Sequence, residues 1–113
     1  SISLIALADD SQAPGVFQAA ADLDLSLPGD LSVLGFGNQD HRSASALGLT
    51  TVEWPLKEMT EAAVSSIINV IEGRSPMTDI HPRASIDEEA PDGTPIATIP
   101  TRPVWRSSVA RRA

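Results

Sequence analysis

The fold is decided by two stretches, Leu31-Ser32-Val33-Leu34-Gly35-Phe36 and Leu49-Thr50-Thr51-Val52-Glu53-Trp54-Pro55. The first is apolar and is predicted to be a buried strand that ends at a loop. The second is rich in β-branched residues, which favour an extended backbone. It is predicted to pass into a helix at Pro55, because proline suits the first helical position. Strand ends of this kind are where α/β proteins place ligand contacts.

The flanking segments add a strand and two helices. Ile2 to Ala8 is an uninterrupted apolar run, typical of a strand buried on both faces. Asp9-Asp10 ends this run and is expected to cap a helix from residue 11 or 12 to about 25. A short helical turn is possible between 38 and 48. A second helix is predicted over 56–72, where apolar residues recur at helical spacing.

Strands that alternate with helices predict an α/β fold with a three-layer parallel sheet. The chain is expected to divide into a strand-helix-strand-strand-helix part (1–73), an acidic, proline-rich loop or insertion (74–95), a final strand (96–106) and a tail (107–113). Because so few strands leave such a sheet incomplete, we expect a partner segment outside this chain, and pairing between copies through the exposed sheet edge.

Composition and charge argue against several classes of protein. The 113 residues, 42% of them hydrophobic, suffice for one small domain, and the absence of cysteine suits a reducing cytoplasm. The net charge of −7 argues against direct contact with nucleic acid. The one basic cluster, Arg102, Arg106, Arg111 and Arg112, is expected to be a solvated, frayed tail. No stretch approaches the ~20 apolar residues of a membrane span, and no basic segment of a signal peptide precedes the first strand.

Two features at strand ends are candidate ligand contacts. Asp9-Asp10 could accept hydrogen bonds from sugar hydroxyls or bind a metal, or serve only as a helix cap. Trp54 could stack its indole on the apolar face of a sugar or base, or pack in the core. The residues alone leave both alternatives open.

Motifs for catalysis and metal binding are not found in the sequence. His41 and His81 have no Cys or His at ligand spacing, so neither a metal nor a cofactor is expected. Gly35-Phe36-Gly37 lacks the third glycine of a dinucleotide fingerprint. Ser43 and Ser45 lie near His41 without the Gly-x-Ser-x-Gly elbow of hydrolases. The chain is therefore not expected to be an enzyme.

A series of motifs occurs in order along the chain and resembles one known family. Its members are Ala8-Asp9-Asp10, Ala13 with Gly15, Leu27-Pro28-Gly29-Asp30 together with the first stretch quoted above, the second stretch, Glu72-Gly73-Arg74-Ser75-Pro76, Ile99-Pro100-Thr101 and Trp105-Arg106-Ser107-Ser108. The series resembles the C-terminal part of the effector module of the Lac repressor/Gal repressor (LacI/GalR) family of bacterial transcription regulators. The likeness covers nearly the whole chain except Met77 to Thr98.

The resemblance implies a two-lobed module like the type I periplasmic binding proteins, of which this chain is the C-terminal portion. A small, sugar-like effector would bind between the lobes and control DNA affinity allosterically. DNA would be bound only through an N-terminal helix-turn-helix that is absent from this chain. The implied protein is a cytoplasmic homodimer with no contact to a membrane. Helix 56–72 would cross to the other lobe, and the final strand would return.

Three ligand positions of the family can be carried over, and each departs from the commonest pattern. Asp9 replaces the usual Asn, and Trp54 replaces a frequent Gln. Gly37 replaces the usual Asp, which leaves Asn38 as the nearest polar group. The implied ligand-binding residues are therefore Asp9, Asn38 and Trp54. We expect an effector other than the common hexoses or nucleobases, with one flat or apolar face.

The dimer interface implied by the family involves the first helix and the loop after the second strand. It maps onto Pro14, Gln18, His41, Ala44 and Ser45. Pro14 and Ala44 could form a small apolar patch for a second copy, or be ordinary surface.

Other classes of protein compete with this interpretation. A periplasmic-type sugar-binding protein shares the module but would carry a signal peptide in place of the helix-turn-helix. A receiver-like phosphoacceptor domain would use Asp9-Asp10 as its acidic Mg²⁺ pair. However, Gly37-Asn38 offers no Asp to phosphorylate after the second strand, and no strand-end Lys follows. A hydrolase would lack an arrangement of base and nucleophile.

Overall fold

A computed structural model describes residues 2–111 of the chain, without the side chains of residues 87–89. In chain order the elements are β1 (Leu4–Ala6), a 3₁₀ helix (Asp10–Gln12), α1 (Ala13–Asp22), β2 (Ser32–Leu34), α2 (His41–Leu47), β3 (Thr51–Glu53), α3 (Leu56–Ile71), β4 (Ser85–Glu89), β5 (Pro95–Thr98) and β6 (Arg102–Val104). The chain forms two compact units. The first runs up to Trp54 and resumes at Arg102, and the second is Pro55–Thr101.

The first unit is built on parallel pairing of β1, β2 and β3. β1 and β2 pair in parallel, with Leu4 opposite Ser32. Parallel bridges join Leu34 to Thr50 and Gly37 to Glu53, which places β3 beside the end of β2. β6 pairs antiparallel with β3. The predicted parallel arrangement therefore holds for three strands, and the last strand is an antiparallel edge, as is common in mixed sheets.

The core of the first unit lies where α1 and α2 meet β2 and the chain entering β3. Its fully buried members are Ala13, Val33, Ala44 and Leu49. Each of the two helices contributes an alanine, and such small side chains let a helix backbone approach a neighbouring element closely. The predicted first helix is confirmed as the 3₁₀ helix followed by α1, and the short turn predicted between 38 and 48 is α2.

The segment after β6 is anchored rather than frayed, so the predicted tail was wrong for residues 107–110. The Ser108 hydroxyl is buried, donates to the Val33 carbonyl oxygen at 2.6 Å and accepts from the Thr50 amide at 2.8 Å. The Ala110 amide donates to the Ser32 hydroxyl at 3.1 Å. Buried backbone groups of β2 and β3 need hydrogen-bond partners, and this segment supplies them.

The prediction of a frayed tail was also wrong at two of the four positions of the basic cluster, although the Arg102 side chain is 68% exposed. Arg102 pairs with Glu53, and Arg106 donates to the Leu49 carbonyl oxygen at 2.7 Å. Arg111 is exposed. Arg112 lies outside the described residues.

The second unit consists of α3, an irregular segment and the β4–β5 hairpin. α3 confirms the helix predicted over 56–72. The long loop predicted over 74–95 was wrong for residues 85–89, which form β4 and pair antiparallel with β5. The strand predicted over 96–106 is two strands, β5 and β6, that pair with different partners. The prolines were misleading because Pro91 lies in the turn and Pro95 is the first residue of its strand, where proline is tolerated.

Within residues 2–111, no helix combines the length and the hydropathy needed to cross a bilayer. Apart from the corrections given above for individual segments, the predicted boundaries of the module, the insertion and the tail stay predictions.

Candidate ligand-binding site

Polar side chains gather where β1, β2 and β3 end. We use the term polar edge for Asp9, Asp10, Asn38, Glu53 and Trp54. The three strands run in parallel, so their carboxyl ends meet at one edge. Backbone hydrogen bonds hold the three chain segments together there, from the Asp10 amide to the Phe36 carbonyl and from the Trp54 amide to the Gly37 carbonyl, both at 3.1 Å.

The Asp10 carboxylate links the segments that follow β1 and β2 to the start of β3. One oxygen accepts from the backbone amide of Asn38 at 2.8 Å, and the other accepts from the Thr51 hydroxyl at 2.7 Å. A Cβ at position 35 would lie 2.1 Å from the same carboxylate, so Gly35 leaves the room that Asp10 needs. Asp10 thus fixes the geometry of the edge in addition to standing at the start of a helix.

Asn38 is buried, and both polar groups of its side chain are already engaged. Its exposed fraction is 9%. Its Nδ2 donates to Glu53 Oε1 at 2.9 Å, and its Oδ1 accepts from Arg106 Nη2 at 3.2 Å. Its backbone has a positive φ of 54°, a conformation that asparagine tolerates better than most residues. A ligand that hydrogen-bonds to this side chain shares it with these two partners or displaces one of them.

Glu53 is a charged member of the edge that the sequence analysis did not single out as a site residue. Its second carboxylate oxygen accepts from the Arg102 guanidinium. The hydrogen bond from Asn38 holds the pKa of Glu53 below its ordinary value, with help from Arg102 and against the opposing effect of burial. The side chain is therefore a carboxylate at neutral pH. Its position between Val52 and Trp54, at the end of β3, is the only sequence signal that points to it.

Asp9 is exposed and caps the 3₁₀ helix. Its Oδ1 accepts from the Ser11 amide at 2.8 Å, and Gln12 Oε1 accepts in return from the Asp9 amide at 3.4 Å. The hydrogen bond from Ser11 lowers the pKa of Asp9. The predicted capping role is confirmed, whereas the ligand contact stays a prediction.

Trp54 lies at the surface of the edge with 45% of its area exposed. Its ring meets that of Phe36 edge-to-face, with centroids 5.6 Å apart and planes at 82°. This exposure does not fit the alternative of a core aromatic. An indole held by one aromatic contact and open to solvent is suited to stacking on a ligand.

A cavity of about 380 Å³ adjoins the polar edge. It is lined by Asp9, Asp10, Ser11, Pro14, Phe36, Gln39, Asp40, Ser43, Ala44 and Leu47. The described part of the chain holds no group of three Asp, Glu or His side chains that could bind a metal ion.

The predicted dimer residues divide into exposed and buried members. Pro14, Gln18, His41 and Ser45 are exposed, but Ala44 is only 2% exposed and belongs to the core. The apolar surface patch predicted for Pro14 and Ala44 was therefore wrong, because α2 needs the small Ala44 side chain for its own packing. An interface role for the four exposed residues stays a prediction.

Comparison with known proteins assigns the family. Residues 3–109 match the family model of the periplasmic binding protein-like domain. Since this match covers nearly the whole chain, the chain belongs to the periplasmic binding protein-like domain family.

Curated relatives are transcriptional regulators. The chain is 34% identical over 70 residues to the HTH-type transcriptional regulator MalR of Clostridium butyricum, a match that covers 62% of this chain and 21% of that regulator. It is 26% identical over 107 residues to the lactose operon repressor of Rhizobium radiobacter, covering 95% of this chain and 80% of the repressor. The chain thus spans about a fifth of the MalR regulator's length.

Solved structures agree with the sequence relatives. A LacI-family transcriptional regulator from Burkholderia phymatum superimposes with a TM-score of 0.64 at 28% identity, covering 98% of this chain and 34% of the other. A LacI-family regulator from Enterococcus faecalis with bound ribose gives a TM-score of 0.65 at 21% identity, covering 96% and 34%. The predicted resemblance to the LacI/GalR family and the predicted periplasmic-binding-protein-like fold are both confirmed.

Proposed function

We propose that this chain is the ligand-sensing and dimerising part of a LacI-type bacterial transcriptional regulator, and that it binds a small, carbohydrate-like effector at the polar edge. The observation that carries the proposal is the convergence of three carboxylates, an amide and a half-exposed indole on the ends of three parallel strands. The regulators among the relatives, one of them solved with ribose, support the class of effector.

Each member of the polar edge has a distinct task in this proposal. The carboxylates of Asp9 and Glu53 accept hydrogen bonds from ligand hydroxyls, and the indole of Trp54 covers an apolar ligand face. Asp10 orders the backbone beneath them through Asn38 and Thr51. Asn38 is buried and already bonded to two side chains, so its main task is to hold Glu53 in place.

Effector binding acts on DNA affinity by a shift in population. The effector favours whichever arrangement of the regulator it binds better, and that arrangement has a different affinity for DNA. The net charge of −7 fits a chain that leaves DNA contact to another domain. No catalytic step is assigned to it, and the cytoplasm is its proposed location.

Fluorescence of Trp54 tests the proposal in the intact protein that carries this chain. The chain has two tryptophans, so Trp105→Phe leaves Trp54 as its reporter, and Trp54→Phe is the matched control. Titration with pentoses, hexoses and their derivatives is expected to give a saturable change in emission in the W105F protein and none in the W54F protein. An effector that alters DNA affinity without changing the emission of Trp54 would contradict the proposal.

DNA binding separates this function from its competitors. A periplasmic-type sugar-binding protein would show the same fluorescence response without effector-dependent binding to its own promoter DNA in a gel-shift assay. A receiver-like role is disfavoured because the Asp10 carboxylate is engaged by Thr51 and Asn38, and position 37 is glycine. Stable labelling by a small phosphodonor with Mg²⁺ would revive it.

A further inference from the structure

The chain passes between its two compact units twice, once after Trp54 and once before Arg102. Glu53 and Arg102 stand beside these two crossings and lie directly opposite each other in the β3–β6 pair. Their side chains form an ion pair. We propose that Glu53 is a positioning residue that couples occupation of the polar edge to the two crossings. This inference rests on the proposed function, because it requires an effector at the polar edge.

The coupling runs through the two oxygens of one carboxylate. Oε1 accepts from Asn38 at the end of β2, and Oε2 accepts from Arg102 at the start of β6. Asn38 in turn accepts from Arg106, which follows β6. The four side chains therefore form a continuous series that begins and ends on the segment 102–106. A change at Asn38 or Glu53 reaches this segment from both sides.

Every polar atom at the centre of the series already has a partner. Both polar groups of the Asn38 side chain and both oxygens of Glu53 have partners. An effector hydroxyl that engages Glu53 must share or replace the bond to Asn38 or to Arg102. Because side chains in such networks polarise and orient one another, binding at this point changes the contacts that hold β6 against β3.

The charge and exposure of Glu53 suit this task. Its side chain is 30% exposed, so an effector can reach it, while Arg102 is more open at 68%. The bonds from Asn38 and Arg102 keep the pKa of Glu53 low, so the carboxylate keeps its charge through the neutral range. A neutral group at this position would hold Arg102 less firmly.

The test uses Glu53→Gln and Arg102→Met in the intact protein, with Arg83→Met as the matched control. Arg83 forms an ion pair with Glu58 at 3.3 Å, and the two side chains are 46% and 29% exposed. This pair is of the same kind as Arg102–Glu53 but does not belong to the polar edge. Three quantities are measured for each variant: effector affinity from Trp54 fluorescence, the effector-induced change in amide hydrogen exchange of the peptide covering 101–106, and the effect of effector on DNA affinity.

In the wild type and in R83M, effector is expected to change hydrogen exchange over 101–106. In R102M, effector affinity is expected to stay within about two-fold, while the effect of effector on DNA affinity falls at least about five-fold, the lower end of typical allosteric couplings. E53Q is expected to lose the exchange response and to bind effector more weakly. R102M removes only the outer contact, so it decides the matter if E53Q does not fold.

Two results overturn the inference in different ways. If R102M and E53Q keep the wild-type exchange response and the wild-type effect of effector on DNA, Glu53 does not couple the polar edge to the crossings. If the wild type itself binds no effector with a Trp54 signal, the proposed function fails and the inference falls with it.

Discussion

Gly35 and Asp10 share a space that admits no further side-chain atom. A Cβ at position 35 would lie 2.1 Å from the Asp10 carboxylate and 2.8 Å from the Leu49 side chain. The sequence shows a glycine at the end of a strand, which predicts a loop. It does not show that the glycine makes room for a carboxylate 25 positions earlier, because that contact exists only once β1 and β2 are paired.

Gly35→Ala is therefore expected to destabilise the protein by about 1–3 kcal/mol, as typical overpacking does. Gly15→Ala is the matched control, because nothing lies within 4 Å of a Cβ at position 15 in α1. Alanine there is expected to be neutral or to stabilise by about 0.5–1 kcal/mol. Chemical denaturation of both variants measures the difference, and equal stabilities would show that the close approach of Gly35 to Asp10 carries no cost.

At the scale of elements, local pattern predicted the segments that carry a clear apolar, β-branched or helical pattern of their own. β2, β3 and α3 were predicted from apolar and β-branched runs and from the proline at the helix start. The anchored segment 107–110 was not, because its partners Val33 and Thr50 lie more than 50 residues away. β4 was not predicted, because prolines and acidic residues around it resemble a loop in composition.

Ser108→Ala tests the anchoring of the segment after β6. Its hydroxyl serves a buried amide of Thr50 and a buried carbonyl of Val33, so its removal leaves both groups unpaired. The expected loss is about 1–3 kcal/mol of unfolding free energy. Ser107→Ala is the matched control, because Ser107 is the exposed neighbour of Ser108 in sequence. Removal of its hydroxyl is expected to change the free energy of unfolding by less than about 0.5 kcal/mol. If the Ser108→Ala protein is as stable as the Ser107→Ala protein, the Ser108 hydroxyl does not anchor this segment.

The cap of α2 predicts a dependence of stability on pH. Ser43 donates to the Asp40 carboxylate from its hydroxyl at 2.6 Å and from its amide at 3.3 Å, and these bonds lower the pKa of Asp40. A lowered folded-state pKa means that the stabilisation is present above the ordinary value of 3.8 and is lost as pH falls through the folded value.

Asp40→Ala should consequently lower the melting temperature at neutral pH, and its difference from the wild type should shrink as pH falls below about 4. Asp40→Asn keeps a capping oxygen without a charge, so its neutral-pH stability is expected to lie between those of the wild type and Asp40→Ala. A difference between wild type and Asp40→Ala that stays constant down to acid pH would show that the charge of Asp40 plays no part.

At the scale of the whole molecule, the family was predictable and the site only in part. Motifs in a fixed order pointed to LacI/GalR regulators, and the domain match over residues 3–109, together with repressor relatives and a LacI-family structure, bears this out. The carried-over positions Asp9 and Trp54 lie on the polar edge, and Trp54 is exposed as a ligand contact requires. The engagement of Asn38 by Glu53 and Arg106 could not be predicted, because it joins residues up to 68 positions apart through three strands.

Effector binding at the polar edge is tested most directly by the emission of Trp54 in the intact W105F protein, recorded with the small molecule that changes its DNA affinity. The predicted result is a saturable change over the same concentration range as the change in DNA affinity, absent from the W54F protein. Unchanged Trp54 emission, while the molecule still releases or recruits DNA, would contradict it.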